Sequence, residues 1–349
     1  MRSSYKESDV ILLLKDITGL VKPQPTRERE ALIQSGKHYS EMLPIEYVPT
    51  EKYMEVYHEA LKKYAGATAL AIGRLSDKIM QARGEDVVLV SLARAGIPIG
   101  ILVKHYIMKK YGVNAPHYSI SIIKGRGIDK NAMEYLLERY EPGQLLFVDG
   151  WIGKGAILNE LRQDLKPFPG VSAEIAVAAD PANVTSLCGT HEDILIPSSC
   201  LNCTVSGLVS RTFLREDIIG PKDFHGAVYY GELSDSDLSY GFINAIEACF
   251  SKESVPEKGP VRGYGIDEVK ELAKAFHVED INLVKPGIGE TTRVLLRRVP
   301  FKVLIDERYG NSQELEHIVR LAEEKSVPVE FYPLKHYKCC GIIKKMAET

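Results

Sequence analysis

Buried-strand patterns alternate with helical patterns along the first 250 residues. Apolar, β-rich runs occur at 86–91, 115–123, 144–149, 173–178 and 192–196. Three- and four-residue spacing of apolar positions predicts helices at 51–83, 97–111, 131–140 and 155–165, and a short helix around 26–33. Strands that alternate with helices are typical of βαβ units. The sequence therefore predicts an α/β fold in which a parallel sheet is flanked by helices on both faces.

The alternation stops at 251–263 and then begins again. That stretch has two prolines, two glycines and five charged residues, a composition typical of a linker. Beyond it we expect helices at 266–276, 289–298 and 312–325 and strands at 280–284, 301–306 and 327–332. The predicted organisation is a cap segment at 1–50, an α/β domain at 51–250, the linker, and a small α/β/α module at 264–349.

Composition and charge narrow the class of protein. The 349 residues are 45% hydrophobic and 26% charged, which excludes a disordered or fibrous chain. No apolar run approaches the ~20 residues of a membrane span, so we expect a cytosolic (cytoplasmic) protein with no membrane partner. Residues 258–349 contain 16 basic and 14 acidic residues, and the rest of the chain contains 28 and 33. This difference in sign suggests different partners for the two parts.

Two predicted strand-to-helix turns carry residues suited to binding phosphate. Residues 91–100 (SLARAGIPIG) place Arg94 among small residues, and residues 147–156 (FVDGWIGKGA) place Asp149 and Lys154 around a glycine-spaced loop. Backbone N–H groups at helix N-termini attract anions, and ligands of open α/β sheets sit at the carboxyl ends of strands. Neither turn matches a P-loop or a dinucleotide fingerprint. Each alone is also an ordinary βα turn, whereas the pair favours a phosphate-rich ligand.

The two turns resemble those of type I phosphoribosyltransferases. LARAGIPIG resembles the pyrophosphate-binding loop of that class, and LLFVDGWIGKGAI resembles the loop that binds phosphoribosyl pyrophosphate (PRPP). KGRGIDK, at 124–130, lies between them as the flexible catalytic loop does, although a solvated turn would have the same composition. More narrowly, residues 1–250 resemble the phosphoribosyltransferase-like proteins of bacterial tellurium-resistance and stress operons, a family also labelled cysteine protease StiP.

This resemblance implies a set of site residues. Asp149 would contact the ribose hydroxyls, and Lys124 and Arg126 would close over the leaving group. Contacts to phosphate or pyrophosphate are implied for Arg94, Ala95, Gly96, Gly150, Trp151, Ile152, Gly153, Lys154, Gly155 and Ala156. Mg²⁺ would bind through the pyrophosphate of the ligand, with no metal site in the protein itself. The chain departs from the usual pattern at Gly150, which replaces a second acidic residue, and at Gly153 and Lys154, which replace hydroxyl donors.

The segment 198–212 (SSCLNCTVSGLVSRT) is rich in hydroxyl groups and follows a predicted strand. Its Ser206 and Arg211 are candidates for an acceptor pocket, although the same residues would also serve to cap a helix. The lone C-x-x-C at Cys200 and Cys203 lacks the two further ligands of a structural zinc site. A cysteine peptidase could be drawn from Cys188, Cys200 or Cys203 with His191 or His225, but no family-specific signature surrounds them.

The C-terminal module resembles the Pelota-type RNA-binding domain. The G-x-N-E-x-x-[KR] motif of that domain corresponds to Gly287, Gly289, Glu290 and Arg293, with Gly289 in place of asparagine. The resemblance implies that Glu290 reads a base edge and that Lys285, Arg293 and Lys335 face phosphates. The alternative is a plain α/β/α domain used for dimerisation, and a homodimer remains open.

The sequence thus predicts a phosphoribosyltransferase-like enzyme with an RNA-binding module. It would transfer a ribose phosphate from PRPP, or a related sugar phosphate, to or from a base-like or RNA-borne acceptor. Two alternatives stay open: a non-catalytic sensor that binds PRPP or a nucleotide together with RNA, and a cysteine peptidase.

Overall fold

The computed structural model of the chain describes residues 1–253, 257 and 259–345. Part of the predicted linker, at 254–256 and 258, therefore lies outside the described residues. The helices are α1 Thr26–Gln34, α2 Glu51–Arg83, α3 Gly96–Tyr111, α4 Lys130–Leu137, α5 Ala156–Asp164, α6 Ser239–Glu247, α7 Gly265–Ala275, α8 Ile288–Arg297 and α9 Glu316–Glu324.

The strands follow the same chain order. They are β1 Ile11–Leu12, β2 Lys15–Asp16, β3 Val88–Leu92, β4 His117–Ile120, β5 Ile122–Ile123, β6 Gly127–Ile128, β7 Leu145–Trp151, β8 Ile175–Ala179, β9 Cys188–Thr190, β10 Gly226–Ala227, β11 Val284–Pro286, β12 Pro300–Ile305, β13 Val329–Phe331 and β14 Cys339–Ile343. Within the described ranges no helix has both the length and the apolar composition to cross a bilayer.

The main sheet has six strands in the order β1-β4-β3-β7-β8-β9, and every pair is parallel. All residues of β3 and β8 are buried, as expected for a parallel sheet covered on both faces. Alternate residues of the central strands enter different hydrophobic clusters: Leu89 packs with α2, α3 and α6, and Val90 packs with α4 and α5. The predicted α/β fold with helices on both faces is confirmed.

The strand order reverses between β3 and β7. From β3 the chain moves outward to β4, then returns to the other side of β3 for β7, β8 and β9. At such a reversal the turns after the two central strands diverge to opposite faces and leave a crevice at the carboxyl edge of the sheet. The two turns singled out in the sequence follow β3 and end β7, so both lie at this reversal.

The C-terminal part forms a second sheet in the order β11-β14-β12-β13. Its β11 and β12 are antiparallel to β14, and β12 is parallel to β13. Helices α8 and α9 pack against this sheet, and their Leu295 and Ile318 belong to the same hydrophobic cluster as Tyr57 and Tyr64 of α2. The small α/β architecture predicted for this part is confirmed.

Several predicted elements differ from the structure. The strand predicted at 115–123 is two short strands, β4 and β5, which belong to different sheets, and the helix predicted at 131–140 ends at Leu137. The strand predicted at 192–196 is wrong, because the edge strand β9 forms earlier, at Cys188–Thr190. The strand predicted at 280–284 starts at its last residue, Val284, after a 3₁₀ turn. The strand predicted to end at Asp149 continues to Trp151, and the helix predicted from residue 312 begins at Glu316. The central strand β14 of the second sheet was not predicted.

The N-terminal segment is more ordered than a loose cap. Its β1 pairs with β4 and extends the main sheet, and its β2 pairs with β10. The predicted short helix is α1, and the long predicted helix matches α2 at both ends. Residues 1–50 therefore supply one strand of the main sheet.

Candidate functional site

The turn after β3 is pressed against β7. A Cβ atom at Gly96 would lie 2.4 Å from the Val148 carbonyl oxygen, so only glycine allows this approach. The turn contains a cis Ala93–Arg94 peptide bond, and α3 begins at Gly96. Ala95 is thereby held beside the end of β7.

The turn after β7 presents a carboxylate and a helix N-terminus. Asp149 lies within the strand and its Oδ1 accepts a hydrogen bond from the Gly150 N–H at 2.7 Å. Gly155 precedes α5 in a left-handed conformation, with φ of 84°, which glycine adopts without a Cβ clash. The chain can therefore turn sharply from the strand into α5 with its N–H groups directed at the same edge.

These two turns line one cavity of about 280 Å³, which we call the switch-point cavity. The predicted site residues that line it are Ala95, Asp149, Trp151, Ile152, Gly153, Lys154, Gly155, Ala156, Lys285, Glu290 and Arg293. The structure thus brings the predicted PRPP-binding loop together with three of the predicted RNA-binding residues, Lys285, Glu290 and Arg293. Gly96 and Gly150 shape the turns without lining the cavity.

The C-terminal part closes over the phosphate-type loop. The Tyr337 hydroxyl donates to the Gly153 carbonyl at 2.7 Å, and the Lys154 ammonium donates to the carbonyls of Ile281 at 2.7 Å and Val284 at 3.0 Å. The Lys154 ammonium therefore joins the two parts of the molecule, in addition to lining the cavity.

The cavity perturbs the groups that face it. Burial raises the pKa of Asp149 to about 6, against the opposing effects of the Gly150 N–H and the Arg293 charge. Burial and the neighbouring charges of Lys285 and Lys124 lower the pKa of Lys154 to about 8. The pKa of Lys285 is also lowered, chiefly by burial. Lysines that destabilise one another's charge favour the arrival of an anion.

A buried carboxylate fixes the start of α8. Asp193 accepts hydrogen bonds from the backbone N–H groups of Ile288 and Lys338, each at 2.9 Å. Gly287 has φ of 88°, and a Cβ there would meet Asp193 Oδ1 at 3.0 Å. Gly289 faces Trp151, since a Cβ would lie 3.6 Å from that ring. Gly287 therefore allows a close approach of the two parts, whereas a Cβ at Gly289 would make an ordinary contact.

Several predicted site residues lie elsewhere. Lys124 donates to the Asn282 side chain at 3.0 Å, and Arg126 pairs with Glu41 at 2.6 Å. The Ser206 hydroxyl donates to the Asn202 carbonyl at 3.3 Å and does not line the switch-point cavity. Lys335 lies at a separate surface depression beside Asp306 and Arg308. The structure does not bring these residues into the switch-point cavity.

Arg94 and Arg211 share a different cavity, of about 410 Å³, which we call the arginine cavity. Sequence reasoning missed its other charged residues, which are Arg29, Glu46, Arg297 and Arg298. No local pattern could have found them, because they come from the N-terminal segment and the end of α8. The Arg94 guanidinium pairs with Glu46 at 2.9 Å and donates to the Val209 carbonyl at 2.8 Å.

The cysteines divide into five buried thiols and the exposed Cys249. Burial raises the pKa of Cys188, Cys200, Cys203 and Cys340 to about 12 and that of Cys339 well above its usual value. The Cys188 Sγ lies 3.4 Å from His191 Nε2, whose Nδ1 is 3.0 Å from the Asp180 carbonyl oxygen. Donor atoms of Cys188, His191 and Glu257 lie within 4.8 Å of one another. His225 is instead bonded to the Ser121 hydroxyl.

Fold and site together define an α/β protein with a cavity lined by charged residues at the reversal of its main sheet. Residues 3–247 match the family model described as "Tellurite-like stress resistance cysteine protease StiP". The chain is 33% identical over 368 residues, 99% of this chain and 94% of the relative, to a protein named "Cysteine protease StiP" from Acinetobacter baylyi. The chain belongs to the StiP family. Residues 264–345 match the model described as "PELOTA RNA binding domain".

Two crystal structures of a hypoxanthine-guanine phosphoribosyltransferase from Bacillus anthracis match at 13% identity, with TM-scores of 0.22 and 0.23. The matches cover 40% and 41% of this chain, and 72% and 75% of those chains.

Proposed function

We propose that this protein transfers ribose phosphate from PRPP, or a related sugar phosphate, to a base-like acceptor in the switch-point cavity. One observation carries the proposal: Asp149, the loop from Gly153 to Ala156 and Ala95 converge on one cavity at the reversal of the sheet. That position is where open α/β sheets bind ligands. The family's description as tellurite-like stress resistance proteins supplies the biological setting for the proposal.

Each lining group has a task in this reaction. The backbone N–H groups before α5 would hold the 5-phosphate, because a helix N-terminus carries partial positive charge. Asp149 would orient the ribose by accepting hydrogen bonds from its hydroxyls. Lys285 and Arg293 would stabilise the charge of the pyrophosphate as it departs.

The bond changes balance without a further reactant. The bond from the anomeric carbon to the pyrophosphate oxygen breaks, and pyrophosphate leaves with the electron pair. A nitrogen of the acceptor forms the new bond to that carbon and loses its proton to solvent. The cavity contributes orientation and charge stabilisation to this step.

Mg²⁺ fits the oxygen donors of the cavity. Asp149 offers a carboxylate there, whereas the Glu290 carboxylate already accepts from Arg293 at 3.1 Å. Hard cations prefer such oxygen ligands together with phosphate oxygens. When bound with the ligand, the ion would neutralise pyrophosphate charge.

The matched RNA-binding domain suggests that the acceptor is borne by RNA. Glu290 and Arg293, which carry the resemblance to the RNA motif, line the same cavity as Asp149. A nucleotide that these residues recognise would therefore be adjacent to the ribose. An unstacked or terminal nucleotide fits such a cavity, since single-stranded RNA presents its base edges freely.

The test is calorimetry of the full chain with PRPP and Mg²⁺, followed by an assay for pyrophosphate release across free bases and short RNAs. We expect binding, and release that depends on one acceptor. Asp149→Asn should abolish both, and Asp86→Asn, an exposed carboxylate at the other end of β3, should change neither. Binding without release would instead support the sensor, and the absence of binding would overturn the proposal.

A second candidate function is a cysteine peptidase. The family's description as a cysteine protease favours it, as does the distance of 3.4 Å between Cys188 Sγ and His191 Nε2. The raised pKa of Cys188 opposes it, because the thiolate is the nucleophile. Proteolysis of casein that iodoacetamide blocks, and that Cys188→Ala but not Cys249→Ala removes, would establish this function.

A further inference from the structure

The arginine cavity lies beside the switch-point cavity but is lined by different groups. Arg94 and Ala95 are adjacent in the chain, but Arg94 lines the arginine cavity and Ala95 lines the switch-point cavity. Its volume of about 410 Å³ lies within the range of roughly 300–1,000 Å³ that small-molecule sites occupy. It is therefore large enough for a ligand of its own.

Three arginines act on a single carboxylate in this cavity. The charges of Arg94, Arg297 and Arg211 lower the pKa of Glu46, although its burial opposes ionisation. Only Arg94 forms an ion pair with Glu46 among the described contacts, at 2.9 Å, and both side chains are largely buried. Three guanidinium groups and one carboxylate leave an excess of two positive charges. Arg29 and Arg298 also line the cavity.

The like charges destabilise one another. Arg94 repels Arg211 and Arg297, and burial with the charges of Arg293 and Arg94 lowers the pKa of Arg297 to about 10. Both groups stay charged at neutral pH, so the repulsion persists in the folded protein. Arg297 also donates to the carbonyls of Ser199 and Leu201, whereas Arg211 belongs to the exposed residues and lines the cavity. A dianion in the cavity would remove this repulsion.

The remaining wall of the cavity is apolar and aromatic. Tyr47, Tyr53, Leu201 and Leu296 are among its lining residues. The Tyr53 hydroxyl donates to the Leu296 carbonyl, which fixes the ring against α8. Such a wall suits an organic body, and guanidinium forks match the geometry of phosphate oxygens.

We propose that the arginine cavity binds a phosphate monoester with an apolar or aromatic body. The carrying observation is that Arg94, Arg211 and Arg297 surround the single carboxylate of Glu46 in a cavity with an aromatic wall. A phosphate monoester is close to a dianion at neutral pH, which matches the excess charge. This inference does not depend on the proposed transferase reaction.

The experiment uses phenyl phosphate, which carries the phosphate and the ring but no ribose. Calorimetry of the full chain should detect phenyl phosphate, and inorganic phosphate more weakly, but not phenol. Arg211→Met should weaken phenyl phosphate binding by tenfold or more. Its midpoint of thermal unfolding should equal or exceed that of the wild type, because a repelling charge is gone. Arg320→Met, which removes an exposed partner of Glu59, is the matched control and should change neither quantity.

Two further variants keep the inference falsifiable. Arg211→Lys retains the charge but loses the fork, so binding should weaken even if the methionine variant fails to fold. Lys285→Met, which removes a phosphate-facing charge of the switch-point cavity alone, should keep its affinity for phenyl phosphate and so separates the two sites. The proposal is overturned if the wild type binds no phenyl phosphate, if the Arg211 variants bind it unchanged, or if Lys285→Met abolishes binding.

Discussion

The guanidinium carbon of Arg293 lies 4.4 Å from the centroid of the Trp151 ring. Arg293 carries the resemblance to the RNA-binding motif and Trp151 belongs to the loop that resembles a PRPP site. A cation over an aromatic face at this distance is attractive. Residues that the sequence assigns to two separate sites therefore line one cavity in the folded chain.

This contact predicts that the RNA motif serves both ligands. The double variant Glu290→Ala, Arg293→Ala should weaken binding of a short single-stranded RNA and of PRPP with Mg²⁺, because both side chains line the cavity that contains Asp149. We expect a loss of about tenfold for each, the effect of a lost contact worth roughly 1.4 kcal/mol. Calorimetry measures both affinities. Lys335→Ala is the control, since Lys335 lies at another depression. Loss of RNA binding alone would contradict a shared site.

Asp149→Asn should also change how stability depends on pH. The pKa of Asp149 is about 6 in the folded protein and about 3.8 in the unfolded chain. Because folding raises the pKa of this carboxyl, the folded protein binds the proton more tightly than the unfolded chain does. The free energy of unfolding therefore falls as the pH rises from about 4 to about 6, and this contribution stays nearly constant at higher pH. Relative to the variant, the wild type should therefore lose on the order of 1–2 kcal/mol across this range. Urea unfolding at pH 4, 6 and 8 measures the difference, and parallel curves would refute it.

The sequence predicted where the site lies because that depends on strand order. Asp149 and Ala95 sit at the carboxyl ends of adjacent parallel strands, and the alternation of strands and helices was sufficient to predict this edge. The direction of side chains was not predictable. Arg94 is next to Ala95 in the chain, but its guanidinium pairs with Glu46 of the N-terminal segment. Such a pairing is set by tertiary packing, which leaves no local pattern.

The missed strands have a similar cause. The run at 192–196 ends in three apolar residues and suggested a strand, whereas β9 is formed by Cys188–Thr190, which carries little apolar pattern. Its place at the sheet edge is set by pairing with β8. The residues of β14 include two cysteines and a glycine, which give a weak strand signal, but β14 is the strand between β11 and β12. Strand propensity depends on such neighbours.

Asp193→Ala should destabilise the protein strongly. The change leaves the buried N–H groups of Ile288 and Lys338 without their acceptor, and each unsatisfied group costs about 1–3 kcal/mol. We expect the free energy of unfolding to fall by about 2–4 kcal/mol in urea titrations. Asp235→Ala, at an exposed carboxylate, should change it by less than about 0.5 kcal/mol. Equal effects from both variants would show that Asp193 does not fix α8.

Alkylation should distinguish the thiols. In the folded protein iodoacetamide should modify Cys249 alone, because the other five cysteines are buried. Mass spectrometry should find one adduct under native conditions and six after unfolding. Cys249→Ser should then remain unlabelled when native. Labelling of Cys188 as fast as Cys249 would contradict this and would favour the peptidase.

The hydrophobic cluster that includes Tyr57 and Tyr64 of α2 also contains Leu295 and Ile318, so the two parts of the chain share one core and cannot be studied separately. The two family matches suggest dividing the chain near residue 250. Each fragment would then expose to solvent the hydrophobic surface that is buried in this cluster. The whole chain should unfold in one cooperative transition, because both parts contribute residues to that cluster. A fragment that contains only the matched RNA-binding domain would be prone to aggregate. Its affinity for RNA would differ from that of the intact protein.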